Sequence, residues 1–84
     1  MQRIYIKAFN ALKKLGVPVY EHGDDNGNFS ISAEASGADQ WANYYDGYLL
    51  WNGESTNPAL DSTLRQFGLY AEWVNPGRLA VYPA

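Results

Sequence analysis

The sequence has no cysteine, a single histidine and no long apolar run. Without cysteine it has no disulfides, thiolate zinc sites, iron–sulfur clusters or cysteine nucleophiles, and we expect it to fold in a reducing compartment. No apolar run approaches the ~20 residues that span a bilayer, and the N-terminus lacks the apolar region of a signal peptide. The sequence therefore predicts a cytoplasmic protein with no membrane segment.

Catalytic motifs are also missing. The serines and threonines lie in no nucleophile elbow or Ser-x-x-Lys pattern, and there is no phosphate-binding loop. His22 would have to serve any histidine-based site, but its acidic neighbours in 21–25 are typical of a polar turn. A calcium loop starting at Asp24 fails, because Phe29 and Ala35 occupy its glycine and final glutamate positions. We predict that the protein is not an enzyme and holds no metal or cofactor.

Positive charge is scarce. Six Lys and Arg face nine Asp and Glu, a net charge of −3 that disfavours a polyphosphate partner. Four of the six basic residues, Arg3, Lys7, Lys13 and Lys14, fall in the first predicted helix. We interpret them as a solvated helix face with cations near its C-terminal end.

Aromatic residues are abundant, with three Trp, seven Tyr and three Phe among 84 residues. Each buries on the order of 150–250 Å² when interior, so they supply a core that needs no disulfides. Two separate cores would have roughly 40 residues each, which is too few without staples. We therefore predict one domain over residues 1–84.

The first third of the chain reads as a helix and a hairpin. Apolar residues at helical spacing predict a helix over 2–15 with one buried stripe of Ile4, Ala8, Ala11, Leu12 and Leu15, which Tyr5 and Phe9 widen. Gly16 ends it, and Pro18 favours an edge strand at 17–21. A turn-rich segment, 23–28, then leads into an alternating strand over 29–34.

The middle segment predicts a helix and a central strand. Ser36 and Asp39 have the spacing of a capping box, so a second helix is expected from there to Tyr45, ending at Gly47. Residues 48–51 form an apolar run that is too short for a helix and is followed by an Asn-Gly turn signal. We interpret this run as a buried strand.

The last third repeats the helix-plus-hairpin pattern. Asn57 and Pro58 predict the start of a third helix, which buries Leu60, Leu64 and Phe67 and ends at Gly68. Strands are expected over 69–74 and 79–82, joined by a type II turn at 75–78. The resulting order, α-β-β-α-β-α-β-β, predicts an α+β fold with a mainly antiparallel sheet of about five strands and three short helices.

The two ends of the chain resemble each other. Residues 11–17 (ALKKLGV) are echoed by residues 63–69 (TLRQFGL), each a helix end at a glycine that enters a strand. This spacing suggests an internal helix-plus-hairpin repeat. Any amphipathic helix that ends at a glycine has a similar pattern, so the repeat stays a hypothesis.

The densest aromatic cluster is the candidate binding site. It comprises Trp41, Tyr44, Tyr45, Tyr48 and Trp51, and Trp73 joins it across the predicted sheet. Such rings can bind a protein, a sugar or a base, and they can equally form the core. Because Tyr44 and Tyr45 point about 100° apart on a helix, one of them is expected at the surface.

These observations favour a small non-enzymatic protein-interaction module. Its partner would be a larger protein or a second copy, as for accessory or inhibitor proteins of phages and mobile elements. The first alternative is a winged-helix-like nucleic-acid binder with the 72–78 hairpin as its wing, although only Arg65 and Arg78 would meet phosphates. The second is a sugar or nucleotide site built from the aromatic cluster.

Overall fold

The structure is a computed structural model that describes residues 2–21 and 28–84. In this part of the chain it contains three α-helices, four strands and one 3-10 turn at Ala38–Gln40. The helices are α1 (Arg3–Leu15), α2 (Gly47–Leu50) and α3 (Pro58–Gln66), and the strands are β1 (Val19–Glu21), β2 (Phe29–Ser32), β3 (Leu69–Asn75) and β4 (Arg78–Pro83). The predicted turn at 23–28 and the only histidine, His22, lie outside the described residues except for Asn28.

The four strands form one antiparallel sheet in the order β1-β2-β4-β3. The predicted α+β class with an antiparallel sheet is confirmed, and β1 is an edge strand as Pro18 predicts. The expected fifth strand is wrong, because residues 48–51 do not join the sheet. Each long helix precedes a hairpin, but an internal repeat is not confirmed by this order. None of the helices in 2–21 and 28–84 is long and apolar enough to cross a membrane.

Helices α1 and α3 pack on one face of the sheet. The inward strand positions Phe29, Ile31, Leu79 and Val81 meet buried side chains from both helices. The core cluster is Tyr5, Ala8, Leu12, Val17, Phe29, Ile31, Ala42, Leu60, Leu64, Leu69, Leu79 and Val81. The opposite face carries polar residues and tyrosines: Tyr70 and Tyr82 have ring centroids 5.9 Å apart, and Arg78 donates to the buried Ser30 hydroxyl at 3.3 Å.

Helix α1 is rotated about its axis from the predicted orientation. Tyr5, Ala8 and Leu12 form its buried stripe, whereas Ile4 and Leu15 are 39% and 48% exposed. The expectation that Ile4 and Leu15 are buried is therefore wrong. The larger ring of Tyr5 takes the inward place, since it removes more apolar area from water than the isoleucine beside it.

One end of each long helix is capped by the predicted residue: Gly16 at the end of α1 and Asn57 at the start of α3. Gly16 takes a φ of 97°, and its N–H donates to the Lys13 carbonyl while the Val17 N–H donates to the Leu12 carbonyl. These paired bonds are a Schellman motif, which only a left-handed residue allows. At the start of α3, the Asn57 side chain caps the Ala59 N–H at 2.9 Å.

The middle segment departs most from prediction. Instead of a helix over 36–45, only the 3-10 turn is formed; Ser36 caps nothing, and the Ser32 hydroxyl accepts from the Glu34 and Ala35 N–H groups. This side-chain bonding competes with the backbone pattern that a helix needs. The predicted strand over 48–51 is instead mostly the short helix α2, so both expectations are wrong.

The β3–β4 turn is not of type II, because Gly77 does not take a positive φ. The Asn75 side chain accepts from the Gly77 N–H at 2.8 Å and shapes the turn locally. A Cβ at position 77 would meet only the side chain of the exposed Glu34, which can move aside.

The orientation of α1 can be tested by two matched substitutions. Leu12→Ala should lower the free energy of unfolding by about 2–5 kcal/mol, because the side chain is fully buried. Leu15→Ala makes the same change on the exposed face and should cost less than about 1 kcal/mol. Urea unfolding followed by tryptophan fluorescence measures both. Equal losses would contradict the rotation.

Candidate interaction site: the aromatic loop

Residues 43–55, the aromatic loop, leave and rejoin the core at one point. Ala42 and Thr56 form an antiparallel bridge, and the Asn43 N–H donates to the Ser55 carbonyl at 3.0 Å. Just outside, the Asn57 N–H donates to the Trp41 carbonyl at 2.8 Å. A compact surface loop whose ends meet in this way is an Ω-type loop, a class that often carries function.

The inside of the loop is held by its own backbone. The Gly47 N–H donates to the Asn43 carbonyl and the Trp51 N–H donates to the Gly47 carbonyl, at 3.0 and 2.9 Å. Asn52 and Gly53 then turn the chain with positive φ values of 54° and 93°. The Glu54 N–H closes this turn on the Trp51 carbonyl. These backbone bonds fix the inner part of the loop from Asn43 to Glu54.

The loop is also pinned to the sheet. Gly47 lies close to the backbone of Ser55, where the loop returns to the core. A Cβ at position 47 would be 2.8 Å from the Ser55 Cα. The indole N–H of Trp73 in β3 donates to the Ser55 hydroxyl at 2.8 Å. The Tyr44 ring meets the Trp73 ring edge to face, with centroids 5.2 Å apart. These contacts place the loop at the end of the sheet that carries the β3–β4 turn.

Large apolar side chains cover the outside of the loop. Five residues within seven positions are between 49% and 70% exposed: Tyr44, Tyr45, Tyr48, Leu49 and Leu50. Single exposed apolar residues are ordinary on protein surfaces, but a contiguous group marks a surface that meets something else. The aromatic loop is therefore the candidate functional site.

The structure divides the predicted aromatic cluster. Trp41 and Trp73 are half-buried against the core, and Trp51 is half-buried at the loop's turn. Tyr44 contacts Trp73 from the surface and Tyr45 meets the Tyr44 ring edge to face, with centroids 5.3 Å apart, whereas Tyr48 is 58% exposed. Both tyrosines of the 44–45 pair are exposed, not one.

Leu49 and Leu50 are functional candidates that sequence reasoning missed. It assigned them to a buried strand, because a short apolar run between turn signals is typical of one. The available signal was Gly47, which precedes the run. The apolar run is therefore bounded closely by Gly47 on one side and by the Asn52-Gly53 turn on the other.

The loop region carries charge of one sign. Residues 33–57 contain Glu34, Asp39, Asp46 and Glu54, and no lysine or arginine. All four acids are exposed. An apolar surface that inserts into an anionic bilayer is normally flanked by Lys and Arg, so this charge pattern disfavours a membrane surface.

The base of the loop is tied to α3 through a half-buried carboxylate. The Thr56 hydroxyl lies 2.9 Å from both Asp61 oxygens and donates to them. Burial raises the pKa of Asp61 above its ordinary value of 3.8, with Glu54 acting in the same direction and the Thr56 bond and Arg65 opposing it. Ionised Asp61 is therefore less stable in the folded chain than in the unfolded one.

The two arginines of the winged-helix alternative lie apart. Arg65 is exposed on α3, whereas the Arg78 guanidinium reaches Ser30 on the sheet face opposite the helices. Among residues 2–21 and 28–84, no three His, Asp or Glu side chains come together as metal ligands would.

No known protein family matches the chain, and neither a characterised protein nor a solved structure shows significant similarity to it. The function must therefore be inferred from the geometry and charge of the aromatic loop.

The close approach at Gly47 predicts that the loop needs this glycine. Gly47→Ala forces the loop away from Ser55 and should speed its cleavage by chymotrypsin, which cuts after aromatic and large apolar residues such as Tyr45 and Leu49. Gly16→Ala is the control: it strains a positive φ elsewhere without meeting any atom within 4 Å. Equal cleavage of the loop in wild type and Gly47→Ala would contradict the role of this contact.

Asp61 predicts a pH dependence with a defined sign. Because its folded-state pKa is raised, wild type should lose stability relative to Asp61→Asn as pH rises from about 3.5 to 7. Asn at this position cannot ionise and still accepts the Thr56 hydroxyl. Urea midpoints of the two proteins at both pH values measure the difference. If the difference between the two urea midpoints does not change with pH, or if wild type is the more stable protein at neutral pH, burial is not the main effect on the pKa of Asp61.

Proposed function

We propose that this chain is a non-enzymatic protein-interaction module of the cytoplasm. Its aromatic loop inserts into an apolar cleft with basic residues at its rim on a protein partner. The observation that carries this proposal is the display of five large apolar side chains on a loop whose backbone is already satisfied. Tyr44 packs on Trp73 and Tyr45 packs on Tyr44, whereas Tyr48, Leu49 and Leu50 are 58%, 69% and 62% exposed and are the side chains most available to a partner.

The expected energy is sufficient for specific binding. Burying a Tyr or Leu side chain stabilises a complex by roughly 1.5–3 kcal/mol, and tyrosine is among the residues that most often dominate interfaces. A loop that is rigid before binding loses little conformational entropy on docking. Tyr45, Tyr48, Leu49 and Leu50 together can therefore anchor an interface of ordinary strength.

Charge indicates the nature of the partner. Asp46 lies inside the apolar group and Glu54 at the end of the loop, with no cation in residues 33–57. Basic residues around the partner's cleft would attract this surface and speed its association. Binding should accordingly weaken as salt concentration rises.

The same observations weigh against the two alternatives. A nucleic-acid site needs a cluster of cations, and Arg65 and Arg78 occupy different surfaces. A sugar or nucleotide pocket needs a deep cleft with an aromatic lining, whereas Tyr44 and Tyr45 border only a shallow depression and the tryptophans beside them are half-buried. The interaction module is the function that the loop supports best.

A matched pair of variants tests the proposal. Tagged wild type is used to capture proteins from native extract after nuclease treatment, and the affinity of each captured protein is then measured with purified components. Leu49→Gln, which removes apolar character from the most exposed leucine, should weaken binding about tenfold or more. Leu15→Gln, the same change at an exposed site at the C-terminal end of α1, should leave binding within about twofold.

The proposal fails if Leu49→Gln binds as tightly as wild type, or if both variants lose binding together. Circular dichroism of each variant shows that the fold is retained, which is expected because both side chains are largely exposed. A complex that survives only without nuclease treatment would indicate nucleic acid instead.

A further inference from the structure

A cleft of about 460 Å³ lies beside the N-terminal end of α1. This α1 cleft is lined mainly by apolar and aromatic side chains, among them Ile4, Tyr5, Phe67, Leu69, Tyr82 and Pro83. Its volume falls within the roughly 300–1,000 Å³ of typical ligand-binding clefts. It can accommodate large apolar side chains from another molecule.

Two basic residues, Arg3 and Lys7, lie next to the cleft residue Ile4 along α1. The lining of the cleft contains no Asp or Glu. Arg3 and Lys7 are exposed on the same turns of α1, adjacent to Ile4 and one turn after it. The α1 cleft is therefore an apolar surface with a basic rim, which is the chemistry that the aromatic loop requires of its partner.

The loop and the cleft lie at opposite ends of the sheet. The cleft is built around Leu69 and Pro83, which pair at one end of the β3–β4 hairpin. The loop contacts Trp73, and Tyr45 lines a shallow depression with Pro76 at the other end. The loop contacts β3 at Trp73, and about 13 Å of strand lies between Trp73 and Leu69. Of the loop residues, Glu54 lines a separate depression with Leu69 and Arg65. A loop pinned at its base cannot reach the cleft of its own chain.

We infer that the partner of the aromatic loop is a second copy of this chain, whose α1 cleft receives the loop head to tail. The inference rests on the proposed function and names the occupant. Leu49, Leu50 and Tyr48 supply apolar side chains to a cleft of matching character. Asp46 and Glu54 face a rim that carries Arg3 and Lys7. Both halves of the contact are present on every copy.

A mixing experiment tests this arrangement. Leu49→Glu places a carboxylate on the apolar surface of the loop and leaves the cleft unchanged. Ile4→Glu places a carboxylate in the cleft and leaves the loop unchanged. Glutamate is tolerated in the first turn of a helix, so Ile4→Glu should fold. Each variant alone should be monomeric at roughly 10 µM to 1 mM in sedimentation experiments, where wild type associates. An equimolar mixture should form a dimer of twice the 9.4 kDa chain mass and nothing larger.

Ile6→Glu is the matched control for the cleft. Ile6 is exposed on the same helix but does not line the cleft, so this variant should associate within about twofold of wild type. Charge reversal at the rim, Lys7→Glu, should weaken association about tenfold at low salt and much less at 0.5 M NaCl. These two variants separate the effect of the site from that of a new negative charge.

Several outcomes would overturn the inference. If wild type stays monomeric throughout the concentration range, the loop does not bind a second copy. If Ile4→Glu still associates, the association does not use the cleft. A mixture of the two variants that stays monomeric would show that the loop of one copy does not bind the cleft of another, whereas Ile4→Glu that still associates on its own would indicate a symmetric loop-to-loop contact. The proposed function is judged separately: a different protein that wild type captures, and Leu49→Gln does not, would uphold the module while excluding a second copy as its partner.

Discussion

The pairing of β2 with β4 is the contact on which the rest of the structure depends. It joins strands from opposite halves of the chain through only three registered pairs, from Ser30 with Ala80 to Ser32 with Arg78. With no disulfide available, the two hairpins are joined by these hydrogen bonds and by the side chains that the pairing aligns. Phe29 and Ile31 come beside Leu79 and Val81, which builds the face that α1 and α3 cover.

This central pairing also sets the polarity of the molecule. Since β3 and β4 are antiparallel, their shared turn lies at one end of the sheet and their free ends lie at the other. Trp73 and the turn at 75–78 hold the aromatic loop at the first end. Phe67, Leu69 and the N-terminal turns of α1 form a cleft at the second. The two surfaces that differ most in charge are thereby kept apart.

The aromatic loop keeps a defined conformation although its large apolar side chains are mostly exposed. A chain of this size needs its apolar side chains inside, yet Tyr48, Leu49 and Leu50 stay in solvent. The stability of the loop comes instead from backbone hydrogen bonds, from the contact of Gly47 with Ser55 and from the Trp73 indole. Because these side chains are not buried, the free chain lacks the stability that their burial would add, about 1.5–3 kcal/mol for each.

The parts of this fold that sequence predicts well are those set by local chemistry. Gly16 and Asn57 mark helix ends through bonds to their immediate neighbours, and the β3–β4 hairpin follows from alternation around a turn. The orientation of α1 was missed, because the choice between Ile4 and Tyr5 depends on how closely the helix approaches the sheet. The loop was missed for a similar reason: the 48–51 run has the composition of a buried strand, and its closure depends on contacts between residues distant in sequence, such as the Ala42–Thr56 bridge and the approach of Gly47 to Ser55.

A contact between opposite ends of one chain has a consequence that follows from symmetry alone. A head-to-tail interface does not close on itself unless its rotation completes a ring, so each added copy presents a fresh loop and a fresh cleft. The net charge of −3 on every copy opposes this growth, and the opposition accumulates with each chain that is added. Salt screens both the attraction at the contact and the repulsion between whole chains. The proposed contact would pair Asp46 and Glu54 with Arg3 and Lys7 at short range, while the net repulsion acts over the full molecule. Low ionic strength would then favour each single contact and limit the length of the chain that those contacts build.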